Sequence, residues 1–255
     1  MTMRITVVQT DIVWSQPQVN AQHAEKLIEK AGESDLFVLP EMWSTGFATT
    51  PAGIAEADGR LLEWMKSMAF RYDAAISGSI AIQEPPVTTG EPMFRNRHYF
   101  VRPDGTYAYY DKHHLFTYGG ENIHYTAGDT RTVVTFRGMR FLLLTCYDLR
   151  FPQWCRYRGD YDCIIIAANW PQSRSEVWDI LLRARAIENQ CGVVGCNRAG
   201  RDPHCVYNGH SAIIDAKGHV IAYSDQDKET TLSADVSLEE IICFRKKFRV
   251  LDDRD

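Results

Sequence analysis

The chain has little that would tie it to a metal, a disulfide framework, a membrane or a polyanion. Its seven cysteines are Cys146, Cys155, Cys163, Cys191, Cys196, Cys205 and Cys243, and no two are separated by two residues. That excludes a zinc knuckle and a redox dithiol motif. The odd count and irregular spacing suit reduced thiols in a cytoplasmic protein better than disulfides. No run approaches the roughly 20 apolar residues that a bilayer span requires. The first residues, Met1-Thr2-Met3-Arg4-Ile5, lack the long apolar stretch of a signal peptide. A basic surplus is missing too: 28 Lys and Arg face 33 Asp and Glu, for a net charge of -5. A nucleic-acid or anionic-membrane surface would need a basic patch, so neither partner is expected. Repeats, low-complexity tracts and linkers are absent. What remains is 255 residues, 45% hydrophobic, enough for a large core in one α/β domain over residues 1–255.

The chain alternates strand-like and helix-like segments. Ile5–Val8, Leu36–Leu39, Ala75–Ile82 and Cys163–Ala168 are apolar runs of strand length. Ala24, Leu27, Ile28 and Ala31 recur at helical spacing before Gly32, as do Leu61, Leu62, Met65, Met68 and Ala69. Val177, Ile180, Leu181, Ala184 and Ile187 predict a third helix, with a strand around Val193 and Val194 after it. Turn residues predict strands His98–Val101 and Tyr107–Asp111 around Pro103-Asp104-Gly105. They also predict hairpins at Arg137-Gly138 and at Asp215–Gly218, a last strand over Thr231–Val236 and a short helix from Leu238. The segments Gln83–Pro92 and Thr117–Asp129 read as loops. Such alternation implies mixed sheets covered by helices, with ligands beyond the C-terminal ends of strands.

Three residues sit just past strand ends: Glu41 after Leu36–Pro40, Lys112 after Tyr107–Asp111, and Cys146 after Phe141–Thr145. A cysteine beside a strand is more often packing than chemistry, and a lone Glu or Lys is more often solvated. Together they make a hydrolytic set. Cys146 would attack and become acylated, and Glu41 would take the thiol proton and return it to a leaving amine. Lys112 would stabilise the thiolate and the tetrahedral oxyanion, which the Tyr147 backbone N–H would also meet. An activated thiolate at Cys146 would make the protein sensitive to alkylation and peroxide.

Four blocks in order carry a resemblance: Leu39-Pro40-Glu41-Met42, Lys112-His113-His114-Leu115-Phe116, Cys146-Tyr147-Asp148-Leu149-Arg150-Phe151-Pro152 and Arg183-Ala184-Arg185-Ala186-Ile187-Glu188-Asn189. Over essentially its whole length the chain resembles the nitrilase superfamily of carbon–nitrogen hydrolases. The resemblance implies a four-layer α-β-β-α sandwich and a Glu–Lys–Cys triad at Glu41, Lys112 and Cys146. It also implies a second acid, matched by Glu121, a homodimer joined through the helical layer, and no cofactor or metal. Pro40–Phe47 and Ala168-Asn169-Trp170-Pro171 look like the bacterial omega-amidase branch. Such enzymes hydrolyse the terminal amide of 2-oxoglutaramate or 2-oxosuccinamate, so a small-molecule amide is the expected substrate. Phe47, Phe116 and Trp170 are expected to line the pocket. Arg150 either binds a substrate carboxylate or, as arginines in turns commonly do, braces the turn through Asp148 and nearby carbonyls.

Rival readings stay open on the sequence. Nitrile or carbamoyl hydrolysis and acyl transfer share the same early steps, and a non-catalytic relative would serve as a binding protein. A papain-like hydrolase would use His113, His114 or His210, but adjacent strand-end side chains point in opposite directions. His113 and His114 are therefore expected to bond loop backbone. Glu121 and His124 have metal-ligand spacing, without the second pair a di-iron bundle needs.

Overall fold

Two six-stranded sheets face each other, each with its outer face under helices. The computed structural model describes residues 1–86, 90, 92–224 and 227–254. Strands are numbered along the chain. The first sheet contains β1 (Thr2–Gln9), β2 (Leu36–Val38), β3 (Ala75–Glu84), β4 (Met93–Val101), β5 (Tyr107–Asp111) and β14 (Thr230–Ser237). Its order is β14-β1-β2-β3-β4-β5, with β1, β2 and β3 parallel and the remainder antiparallel. The second sheet contains β6 (Val133–Phe136), β7 (Met139–Thr145), β8 (Cys163–Ala168), β9 (Gly192–Asn197), β12 (Ala212–Ile214) and β13 (Val220–Tyr223). Its order is β13-β12-β9-β8-β7-β6, and β7, β8 and β9 run parallel. A separate ribbon pairs β10 (Ala199–Arg201) with β11 (Val206–Asn208).

Burial explains the layers. The inner core interleaves Met3, Ile5 and Val7 of the first sheet with Phe141, Leu143, Ile165 and Val194 of the second. Outside the first sheet, α1 (Pro17–Ala31) and α2 (Arg60–Arg71) cover Phe37, Leu39 and Ile76 with Ala24, Ile28, Met65 and Met68. Outside the second, α5 (Ser175–Asn189) sets Trp178, Leu182 and Ala186 on Leu142, Ile164 and Val193. All six residues of β8 are buried, as a parallel strand covered on both faces must be. Three short helices complete the set: α3 (Glu121–His124), α4 (Pro152–Cys155) and α6 (Leu238–Lys247). The result is the α-β-β-α sandwich that the sequence led us to expect. Among the described residues no helix is long and apolar enough to cross a membrane.

The differences from expectation are local. β3 extends to Glu84, into the segment Gln83–Pro92 read as a loop, and β4 starts at Met93, five residues before the expected His98. Residues 87–89 and 91 of that segment lie outside the described residues. The Thr117–Asp129 segment is not all loop: it holds a 3-10 turn over Thr117–Gly119 and then α3. Gly120, at φ 78°, makes the left-handed step that restarts the helix. The β10–β11 ribbon carried no apolar periodicity and went unseen.

Candidate active site

The C-terminal ends of both sheets meet at one place, and four of the expected residues lie there. Two residues beyond Leu39, the Glu41 carboxylate is fully buried. Its Oε1 accepts from Lys112 Nζ at 2.8 Å and from Asn96 Nδ2 at 2.8 Å. Its Oε2 accepts from the Asn169 backbone N–H at 3.0 Å. Lys112 follows β5 directly and is held by its own backbone: its N–H donates to Asn96 O, and its carbonyl accepts from Gly128 N–H. Gly128 has to be glycine, since a Cβ there would lie 2.3 Å from the Asp111 carbonyl oxygen.

Glu121, the first residue of α3, brings the second carboxylate. Its Oε2 accepts from Lys112 Nζ at 2.8 Å and from Phe116 N–H at 2.6 Å, and its Oε1 accepts from Asn96 Nδ2 at 2.9 Å. One ammonium is thus shared by two buried carboxylates, with Asn96 bridging them from the opposite side. Two anions beside Lys112 hold its ammonium pKa well above the ordinary lysine value, overcoming the opposing effect of burial. Burial raises the Glu121 carboxyl, helped by the nearby Glu41 and opposed by Lys112.

Cys146 arrives from the other sheet. β7 ends at Thr145, and the chain turns sharply into a 3-10 helix over Cys146–Arg150. Cys146 itself has φ 45°, a left-handed conformation costly for a residue with a Cβ. Two buried clamps hold this turn. Asp148 accepts from Thr145 N–H, Tyr110 Oη–H and both the backbone N–H and Nδ1 of His114, at 2.8–3.0 Å. Arg185 of α5 donates through Nε and Nη2 to the Leu149 carbonyl. The Arg183–Asn189 block of the sequence therefore reaches the nucleophile's turn from behind.

Burial and the neighbouring Glu41 carboxylate push the Cys146 thiol pKa well up, and Lys112 only partly opposes them. Glu41 is placed to take the thiol proton.

A cavity opens at Cys146. Phe47, Phe116 and Trp170, the residues expected there, line it together with Tyr147, Arg150, Asn169, Arg174, Cys205 and Tyr207. The Arg150 guanidinium lies 5.0 Å from the Trp170 ring centre, and Arg174 lies 5.3 Å from that of Phe116. The oxygens of Asp148 are taken by Thr145, Tyr110 and His114, and no hydrogen bond joins Arg150 to Asp148 among the described residues.

The histidine expectations hold in part. His113 Nδ1 does bond a loop carbonyl, Gly128 O. His114 instead bonds the Asp148 carboxylate, and the two rings, far from diverging, touch edge to face with centres 4.5 Å apart. Each is stacked on an aromatic ring: His113 on Trp154, His114 on Phe151. His210 bonds Asp179 and Tyr223. Glu121 is buried while His124 is exposed, so they do not form a ligand pair. Sequence reasoning missed Asn96 and Arg174 and assigned nothing to Asn169. The only signal for Asn96 was an uncharged polar residue within Arg95-Asn96-Arg97 of a strand.

Comparison with known proteins agrees with this geometry. The carbon–nitrogen hydrolase family model matches residues 4–246. The chain belongs to the carbon–nitrogen hydrolase family. It is 42% identical to the omega-amidase YafV of Yersinia enterocolitica, covering 100% of this chain and 97% of that one. Identity to the 2-oxoglutaramate amidase of Bacillus subtilis is 34%, over 99% of this chain and 98% of the relative. Among solved structures, a CN-hydrolase superfamily protein of Xanthomonas campestris superposes with a TM-score of 0.93. It shares 36% identity, covers 100% of this chain and 98% of its own, and carries an arsenic adduct in its active site. Family and relatives together make this carbon–nitrogen hydrolase an amide-hydrolysing enzyme.

Proposed function

We propose that this carbon–nitrogen hydrolase is an omega-amidase, cleaving the terminal amide of a small 2-oxo dicarboxylic acid monoamide through a thioester at Cys146. One observation carries the reading: the Cys146 thiol, beside a buried carboxylate and ammonium, opens into a cavity lined by two arginines. In this mechanism Glu41 removes the thiol proton as sulfur attacks the amide carbonyl. Lys112 and the Tyr147 N–H receive the oxyanion. Two of the three ammonium hydrogens are committed to Glu41 and Glu121, which leaves one for that oxygen. Glu41 then passes its proton to the departing nitrogen, and ammonia leaves. A water deprotonated by Glu41 attacks the thioester, releasing the acid and restoring the thiol. Glu121 keeps Lys112 charged and oriented.

The substrate's far end is assigned by the wall. Arg150 and Arg174 offer planar cations to a carboxylate, and Phe47, Phe116 and Trp170 supply flat apolar faces for a short carbon chain. The names of the relatives, omega-amidase and 2-oxoglutaramate amidase, favour the same substrate class. The test is ammonia release from 2-oxoglutaramate, glutamine, asparagine and simple nitriles. Preference for 2-oxoglutaramate by at least tenfold in kcat/KM supports the reading, and preference for a nitrile or an uncharged amide defeats it.

We also infer that the chain acts as one catalytic unit in the cytoplasm and pairs through its helical layer. Ile180 and Ile187 of α5 stand 58% and 52% exposed, apolar surface that a second copy would cover. Sedimentation of Ile180→Lys as a monomer and the native chain as a dimer would support this; a native monomer would refute it.

A further inference from the structure

We propose that Asn169 reads the nitrogen end of the substrate, its Oδ1 accepting a hydrogen bond from the N–H of a primary carboxamide held at Cys146. The proposal rests on the reading of Cys146 as the nucleophile. Asn169 is 5% exposed and lines the cavity with Cys146. Its backbone spans the two reacting groups: the N–H donates to Glu41 Oε2, and the carbonyl oxygen lies 3.9 Å from Cys146 Sγ. Its side-chain Nδ2 donates to the Glu41 carbonyl oxygen at 2.6 Å. A carbonyl only accepts, so this bond fixes which end of the amide is nitrogen and which is oxygen. The oxygen, Oδ1, is buried and has no partner among the described residues.

Buried acceptors are rarely left unpaired, and one at a binding site points to a donor on the ligand. Among the described residues, Oδ1 of Asn169 is the one orphaned side-chain atom that belongs to a residue of this cavity's wall. A primary amide supplies such a donor; a nitrile, an ester or a carboxylate does not. The bond also serves the departure of ammonia. In the tetrahedral intermediate the C–S bond has formed and the nitrogen carries two hydrogens and a lone pair. Donating one N–H to Asn169 turns the lone pair toward Glu41, which holds the thiol's proton. The C–N bond then breaks with its electrons on nitrogen, the proton transfers from Glu41, and ammonia leaves the thioester behind.

The experiment compares succinamate with monomethyl succinate, a matched ester without the N–H. Ammonia and methanol release are measured for the native chain and for Asn169→Ala. The expected result is a loss of about 10- to 100-fold in kcat/KM for the amide, the size of one buried hydrogen bond, with the ester within about threefold. A merely structural Asn169 would not move the amide-to-ester ratio. Parallel loss of both activities, or retention of both, overturns the proposal. A second measurement needs no change at position 169. By calorimetry, Cys146→Ala protein should bind succinamate at least tenfold more tightly than the ester, and equal affinities overturn the proposal. Ammonia release by Cys146→Ala would instead defeat the nucleophile assignment beneath it.

Discussion

The two halves of the site, one from each sheet, are built on opposite plans. On the first sheet, Glu41, Lys112, Glu121 and Asn96 form a closed set in which the carboxylate oxygens and the ammonium are paired and sealed from solvent. On the second, Cys146 sits in a left-handed conformation, and Asn169 keeps an oxygen without a partner among the described residues. The difference is one of timing. The charged half is organised before substrate arrives, which is how fixed electrostatics stabilise a transition state without reorganisation. The thiol half is left incomplete until substrate fills it.

The sharpest break removes the charge between the halves. Lys112→Met should lower kcat/KM by at least about a thousandfold, as loss of a triad member does elsewhere. It should also cost about 3–5 kcal/mol of stability at neutral pH, because Glu41 and Glu121 then share a buried site uncompensated. Chemical denaturation checks this, and the deficit should shrink in acid, where the carboxylates take up protons. A native-like stability at pH 7 would contradict the description of the first half.

A second break lies where the sheets are tied together. His98 of β4 is fully buried, its Nδ1 donating to the Leu144 carbonyl and its Nε2 bonding Ser77 Oγ. Burial drops its pKa from 6.5 to about 4. The folded value is the depressed one, so this contribution is present above pH 6.5 and lost as pH falls toward 4. The loss should reach about 3 kcal/mol. Denaturation midpoints measured across that window should fall less steeply for His98→Gln than for the native chain.

Asn96→Ala should act more gently, lowering stability by about 1–3 kcal/mol through the donors lost to two buried carboxylates. It should lower kcat more than it raises KM, since Asn96 is not in the cavity wall. The smallest effect is expected at His113. Its ring lies flat on Trp154 and bonds a loop carbonyl, so His113→Gln should leave kcat/KM within about threefold. A large loss would revive a histidine-based mechanism.

These halves were unequally legible in the sequence. Strands showed because parallel strands buried on both faces, such as Cys163–Ala168, are unbroken apolar runs. Glu41 and Cys146 showed because each follows such a strand, Lys112 because it follows the strand after the Pro103-Asp104-Gly105 turn, and four blocks in order pointed to the family. Asn96 did not, because the expected strand began at His98, two residues after it, while β4 starts at Met93. His114 was misjudged because its partner, Asp148, lies 34 residues away, across the gap between the sheets.

The most direct test of the account is intact-protein mass spectrometry of the native chain acid-quenched during turnover of succinamate, followed by peptide mapping. The trapped acyl group should add the mass of the substrate less ammonia to the peptide that contains Cys146. An adduct on any of the other six cysteines, or none while ammonia is still released, would contradict it.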